Sequence, residues 1–144
     1  MTIAMRISFV GQCADAVAFY CDTFGVKPIE ILTFGESRDI IGDVPENKSH
    51  YIYQAVLDLP GSPGIRLFLN DTPILLFQDN PNVHFMQPIL EIDDTDPNII
   101  KNLYDKLMCG GKANKVLVEE PPYVLYGSMI DAYGICWHLR CKKK

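Results

Sequence analysis

The chain has 144 residues, 48% of them hydrophobic and 22% charged, with a net charge of −5 and a pI near 5.0. That balance suits one globular domain, or two small modules sharing a core. It speaks against a nucleic-acid groove or an anionic-membrane surface, and no stretch approaches the roughly 20 apolar residues of a membrane span.

The opening MTIAMRISFVGQ lacks the apolar core of a signal peptide. Five cysteines, Cys13, Cys21, Cys109, Cys136 and Cys141, show no CxxC spacing. An odd count of that kind fits a reduced, cytoplasmic protein better than a disulfide framework. Lys142 to Lys144 form the one basic run and read as a solvated terminus.

Residues 5–10 predict a strand and residues 14–24 a helix. Ala14, Val17, Ala18, Cys21 and Phe24 recur on one face of that helix, and Gly25 is placed to cap it. A second strand covers 29–34. Residues 35–49 are polar, broken by Gly and Pro, and read as a loop, either a lid or a plain connection. Strands follow over 51–59, 65–69 and 74–77, with a turn at Pro60 to Gly64.

Residues 78–82 read as a linker, after which the plan restarts. A strand is expected over 86–92. A helix then opens with Asp96 as N-cap and Pro97 at its first position. Ile100, Leu103, Leu107 and Met108 make its apolar stripe, and Gly110-Gly111 ends it. The last strands lie near 115–118, 124–130 and 135–141. Alternation in the final one sets Cys136, His138 and Arg140 on one face, with Trp137 and Leu139 on the other.

The halves rhyme: Phe19-Tyr20 before Gly25-Val26-Lys27 is echoed by Leu103-Tyr104 before Gly110-Gly111-Lys112. The reading is therefore α+β, a βαβββ module over 1–80 and a second over 81–144, with curved mixed sheets around a cleft. Each module alone leaves one sheet face bare, so pairing within a chain or between chains is expected, and with it a homodimer.

The opening ISFVGQCADAVAFYCDTFG and the closing YGSMIDAYGICWHLRC resemble the vicinal oxygen chelate superfamily of glyoxalases, bleomycin-resistance proteins and ring-cleaving dioxygenases, in its PhnB-like branch. The resemblance spans both modules. It implies paired βαβββ modules, a homodimer and, in metal-using members, a divalent ion held by His and carboxylate groups on the first and last strand of each module. The corresponding positions here are Met5, Gln87, Leu75 or Phe77, and His138. His138 alone is a competent ligand, which argues against a native metal site. His50 and His84 sit at loop or strand edges, where exposure is the default.

His138 reads either as a buried hydrogen-bonded histidine or as a base or donor toward a ligand. Gln87 and Glu91 on the facing strand are its candidate orienting partners. Tyr123 and Tyr126 would stack on a ligand or plug the opening, and Arg140 would meet an anion or solvent. Trp137 is expected behind the sheet as a core anchor. No phosphate loop, Ser-His-Asp motif or HExxH is present, and the methyltransferase name attached to the branch finds no glycine-rich donor loop. Two functions follow from the resemblance: a metal-free protein binding a small organic molecule in a mostly apolar cavity near Met5, Gln87, Tyr126 and His138, or a metal-dependent lyase, isomerase or dioxygenase.

Overall fold

The computed structural model describes residues 1, 3–72 and 88–144. They form two compact units, Met1–His84 and Phe85–Lys144. The expected strand at 74–77, the linker at 78–82, His84 and Gln87 lie outside the described residues.

The first unit runs β1 (Met5–Phe9), α1 (Cys13–Phe24), β2 (Glu30–Thr33), α2 (Arg38–Ile41), β3 (Ile52–Leu59) and β4 (Ile65–Asp71). Its sheet order is β1-β4-β3-β2, with β1 parallel to β4 and the other pairs antiparallel. Alternation sends Ile7, Phe9, Ala55, Leu57, Leu67 and Leu69 to one buried face, which α1 covers. Each such leucine stabilises the unit by about 1.5–3 kcal/mol relative to exposure.

The helix buries Cys13, Ala16, Val17, Tyr20 and Thr23, a stripe rotated from the expected one: Ala14 and Ala18 face solvent. Apolar residues surround α1 on most sides, so periodicity alone did not resolve its inner face. Burying the large Tyr20 ring removes more surface from water than two alanines. Gly25 does cap the helix, at φ 65°, donating to the Cys21 carbonyl.

At the far end of β4, Asp71 is 1% exposed and accepts from the backbone N–H of Cys13 (3.0 Å) and Ile52 (2.9 Å). One carboxylate thereby fastens the start of α1 to the start of β3. Burial, with the Asp71 charge beside it, pushes the Cys13 thiol well above its ordinary range.

Residues 35–49 are not an irregular loop. Two 3₁₀ turns, Gly35–Ser37 and Glu46–Lys48, flank α2. The excursion is closed at its neck by Phe34 N–H to the Tyr51 carbonyl (2.7 Å) and Gly35 N–H to the Ser49 carbonyl (2.9 Å). Arg38 reaches both the Gly35 carbonyl and Glu46, each at 3.0 Å.

The second unit repeats the plan: β5 (Ile89–Asp94), α3 (Pro97–Leu107), β6 (Lys112–Glu120), β7 (Tyr123–Ile130) and β8 (Cys136–Cys141). Its order is β5-β8-β7-β6, again with the first strand parallel to the last. Asp96 caps α3 through its carboxylate to Asn98 N–H (2.8 Å), and Pro97 takes the first helical position. The helix buries Ile100, Tyr104 and Leu107. Gly127 is required by that packing: a Cβ there would lie 2.9 Å from both the Tyr104 ring and the Leu117 backbone.

Candidate functional site

In the second unit, Leu125, Met129, Trp137 and Leu139 turn to α3, while Tyr126, Ser128, His138, Arg140, Glu91 and Asp93 turn to the open face. The turn between β7 and β8 sets their alignment. Asp131, buried, accepts from Tyr133 N–H (2.8 Å), Ile135 N–H (3.1 Å) and the Trp137 indole N–H (2.8 Å). Trp137 is thus the core anchor the sequence predicts, with its polar edge satisfied. The resulting register puts His138 between Ser128 on β7 and Glu91 on β5.

His138 Nδ1 lies 2.8 Å from the Tyr126 hydroxyl oxygen. Among the described residues Nε2 has no hydrogen-bond partner. If the phenol donates, the neutral ring carries its proton on Nε2 and offers a donor there. If Nδ1–H donates to the phenol, Nε2 is an acceptor. Either way one ring nitrogen is fixed in direction and the other is open to a ligand.

Tyr123 stacks on Tyr126 with ring centres 6.1 Å apart and planes 26° off parallel. Lys115 stands over the Tyr126 ring (5.4 Å) and Arg140 over the Tyr123 ring (5.6 Å). Both tyrosines are half-buried, so their ring faces form a wall beside the imidazole.

Glu91 does not orient His138; it accepts from Arg140 (3.1 Å). Arg140 also forms a two-pronged pair with Asp93 (2.6 and 3.0 Å), and its side chain is 22% exposed. It is therefore neither solvated nor free for an anion: two carboxylates already occupy it. Burial pushes the Asp93 carboxyl up, but hydrogen bonds from Lys142 and Arg140, and their charges, outweigh it and hold Asp93 below the usual range. The hydrogen bond to Asp93 in turn raises Arg140.

Met5 belongs to the first unit and shares the strand face of the buried Ile7 and Phe9, so it does not line an open surface. The open face of that unit carries Arg6, Ser8, Gln54 and Asn70. A depression of about 380 Å³ lined in part by Asp58 and Arg66 also lies there, its charges joined at 2.7 and 2.8 Å.

No protein-family model matches the chain. YjdN from Escherichia coli K12 is 22% identical over 148 residues, spanning 100% of this chain and 97% of that protein. Among solved structures, protein PA1353 from Pseudomonas aeruginosa superposes with a TM-score of 0.79 at 21% identity, covering 100% of this chain and 99% of its own. A PhnB protein from Bacillus cereus, provisionally named a 3-demethylubiquinone-9 3-methyltransferase, gives 0.74 at 22% identity, covering 98% and 99%. A glyoxalase/bleomycin resistance protein/dioxygenase family enzyme from Burkholderia phytofirmans gives 0.58 at 14% identity, covering 94% and 95%.

This is the glyoxalase/bleomycin-resistance fold. The likeness to PhnB-like and glyoxalase/bleomycin-resistance proteins holds in the fold.

That fold implies a divalent ion in its metal-using members, and the described residues do not gather a donor set for one. Among the described residues no three His, Cys, Asp or Glu side chains gather around a common point. His138 has a phenol on one nitrogen, Glu91 opposite it is held by Arg140, and Met5 faces the core. The fourth strand of the first unit is β4, whose open-face residues near its end are Phe68 and Asn70, while Leu75 and Phe77 lie outside the described residues. A divalent ion needs three or four convergent N, O or S donors, and among the described residues no such set forms around His138.

Proposed function

We propose that the chain is a cytoplasmic, PhnB-like member of the superfamily that binds a small organic molecule on the open face of its second unit, without a metal ion. The observation that carries the reading is the Tyr126–His138 pair, 2.8 Å apart, which among the described residues leaves Nε2 without a partner beside the stacked Tyr123 and Tyr126 rings. Such a surface suits a flat molecule that packs against the edges of the tyrosine pair, whose outer faces Lys115 and Arg140 cover, and exchanges one hydrogen bond with the imidazole. The lining is aromatic and polar, not mostly apolar, so the ligand would carry at least one oxygen or nitrogen.

Trp137 is the single tryptophan and neighbours His138 in β8, which makes its fluorescence a local reporter. A panel of planar phenols and quinones, titrated against the purified chain, should contain compounds that saturate this signal. Tyr126→Phe, which removes only the phenol oxygen, should weaken those compounds by about tenfold, the loss of one oriented hydrogen bond. Binding that survives both Tyr126→Phe and His138→Ala would remove the proposed site.

A further inference from the structure

Tyr126 and His138 touch through one hydrogen bond, and the side that holds its proton decides what the open nitrogen can take. Their rings meet at 65° with centres 6.0 Å apart, so the contact is made by the hydroxyl and Nδ1 rather than by the ring faces. Tyr126 is held in place, with Tyr123 stacked on its ring and Lys115 over it at 5.4 Å. Among the described residues, Nδ1 is the one acceptor that the Tyr126 hydroxyl reaches.

A phenol oxygen shares a lone pair with its ring and donates better than it accepts, whereas an unprotonated imidazole nitrogen is a strong acceptor. With the O–H donating to Nδ1, both groups use their stronger capacity. The opposite assignment, Nδ1–H to the phenol oxygen, leaves the phenol proton in a half-buried position with no protein acceptor among the described residues. We infer that Tyr126 locks neutral His138 in its Nε2–H tautomer, so that the site offers a donor and selects neutral planar molecules through a carbonyl-type acceptor.

This selection presupposes ligand binding at this face, as proposed for the function, and narrows it to one class: flat ketones, quinones and kindred carbonyl compounds. A molecule whose only polar group is an N–H would set donor against donor, a mismatch that hydrogen-bonding sites reject strongly. Charge does not redirect the choice toward anions. Lys115 is already paired with Glu120, and Arg140 with Glu91 and Asp93.

Tyr126 is thus a positioning residue that acts through His138. Side-chain ¹⁵N NMR of the full chain reads the tautomer directly, because an unprotonated ring nitrogen resonates far downfield of a protonated one. The chain has three histidines, and His138→Ala assigns the signals. At about pH 8, where an ordinary imidazole is neutral, His138 should show a protonated Nε2 and an unprotonated Nδ1. Tyr126→Phe should return the ring to a mixture of tautomers. Indanone and indole, fused bicycles of similar size, then test the selection by titration against the same signals, since the first only accepts and the second only donates. The wild-type chain should bind indanone about tenfold or more tighter than indole, and Tyr126→Phe should shrink that gap to about threefold or less. An Nδ1–H tautomer in the wild-type chain, or indole bound as tightly as indanone, overturns the proposal. The expected tautomer with neither compound bound overturns the ligand-binding reading itself.

Discussion

The two units share one strand order and one helix position, yet their open faces are chemically opposite. In the first, Arg6 donates to Gln54 (3.0 Å) and Asn70 (3.3 Å), Ser8 to Asn70 (3.1 Å), and Gln54 to Glu30 (3.0 Å). Phe68 lies under the Arg6 guanidinium. Those polar groups satisfy one another. In the second, the charged groups also pair off, but among the described residues the imidazole keeps one nitrogen without a partner beside two tyrosine rings. A repeated strand plan thus carries two different surfaces, because what differs is which side chains meet on the open face, not where the strands run.

The units also differ in how a buried aspartate holds them, and the largest predicted effect tests that. Asp131 accepts three described hydrogen bonds around one turn, two from backbone N–H groups, whereas Asp71 accepts two that tie a helix to a strand. Asp131→Ala removes the acceptor of three hydrogen bonds, two of them buried, and should cost about 3 kcal/mol in urea unfolding. Asp71→Ala should cost slightly less. Hydrogen exchange should show the loss of protection centred on β7 and β8 for the first variant, and on α1 and β3 for the second. Equal loss in both units from either variant would mean that the aspartates do not act locally.

The contrast between the faces sharpens with a matched pair of substitutions. Asn70→Ala and His138→Ala each remove an open-face hydrogen-bonding group, one from β4 and one from β8, the strands that pair parallel with β1 and β5. Only the second should reduce binding of compounds that quench Trp137, by roughly tenfold or more.

The smallest effect is acid sensitivity. Because Asp93 is held below its ordinary range in the fold, the native state binds its proton less readily than the unfolded chain. Its contribution is therefore complete above the unfolded carboxylate value of about 3.9 and is lost as pH falls through the lower folded value. The carboxylate side is one-third exposed, so the pairs contribute only about 0.5 kcal/mol at neutral pH. Asp93→Asn should lower stability by that amount at pH 7 and by nothing at pH 2, as read from denaturation midpoints. A loss of several kcal/mol would show that the Arg140 cluster holds the sheet.

Much of the fold was legible in the sequence because its signals are local. Asp96-Pro97 announced α3, Gly25 the end of α1, and alternation the two faces of β8. The inner stripe of α1 was not, since a helix apolar on most sides carries no strong periodicity. The tether of residues 35–49 depends on backbone bonds between chain positions far apart, which leave no mark in composition. Met5 entered the site by counting back from a motif, while its parity with Ile7 and Phe9 assigns it to their face of β1.

The candidate site was half legible. Parity put His138 and Arg140 on one face, and the family resemblance set Tyr126 near them, but neither put the phenol against the imidazole. Tyr126 sits directly across from Arg140 and Ser128 from His138, so the phenol reaches the imidazole on the diagonal. That diagonal exists only because Asp131 fixes the turn and with it the register. The engagement of Arg140 by Glu91 and Asp93 likewise rests on the parallel register of β5 with β8, which no sequence pattern states.

The central claim is that the second unit binds an organic ligand through His138 without a metal. Native mass spectrometry of protein purified without chelator and without affinity nickel reads it most directly. The account predicts no metal mass on the subunit, and an organic mass retained by the wild-type chain that His138→Ala loses. One divalent ion per subunit, released by His138→Ala, would contradict it.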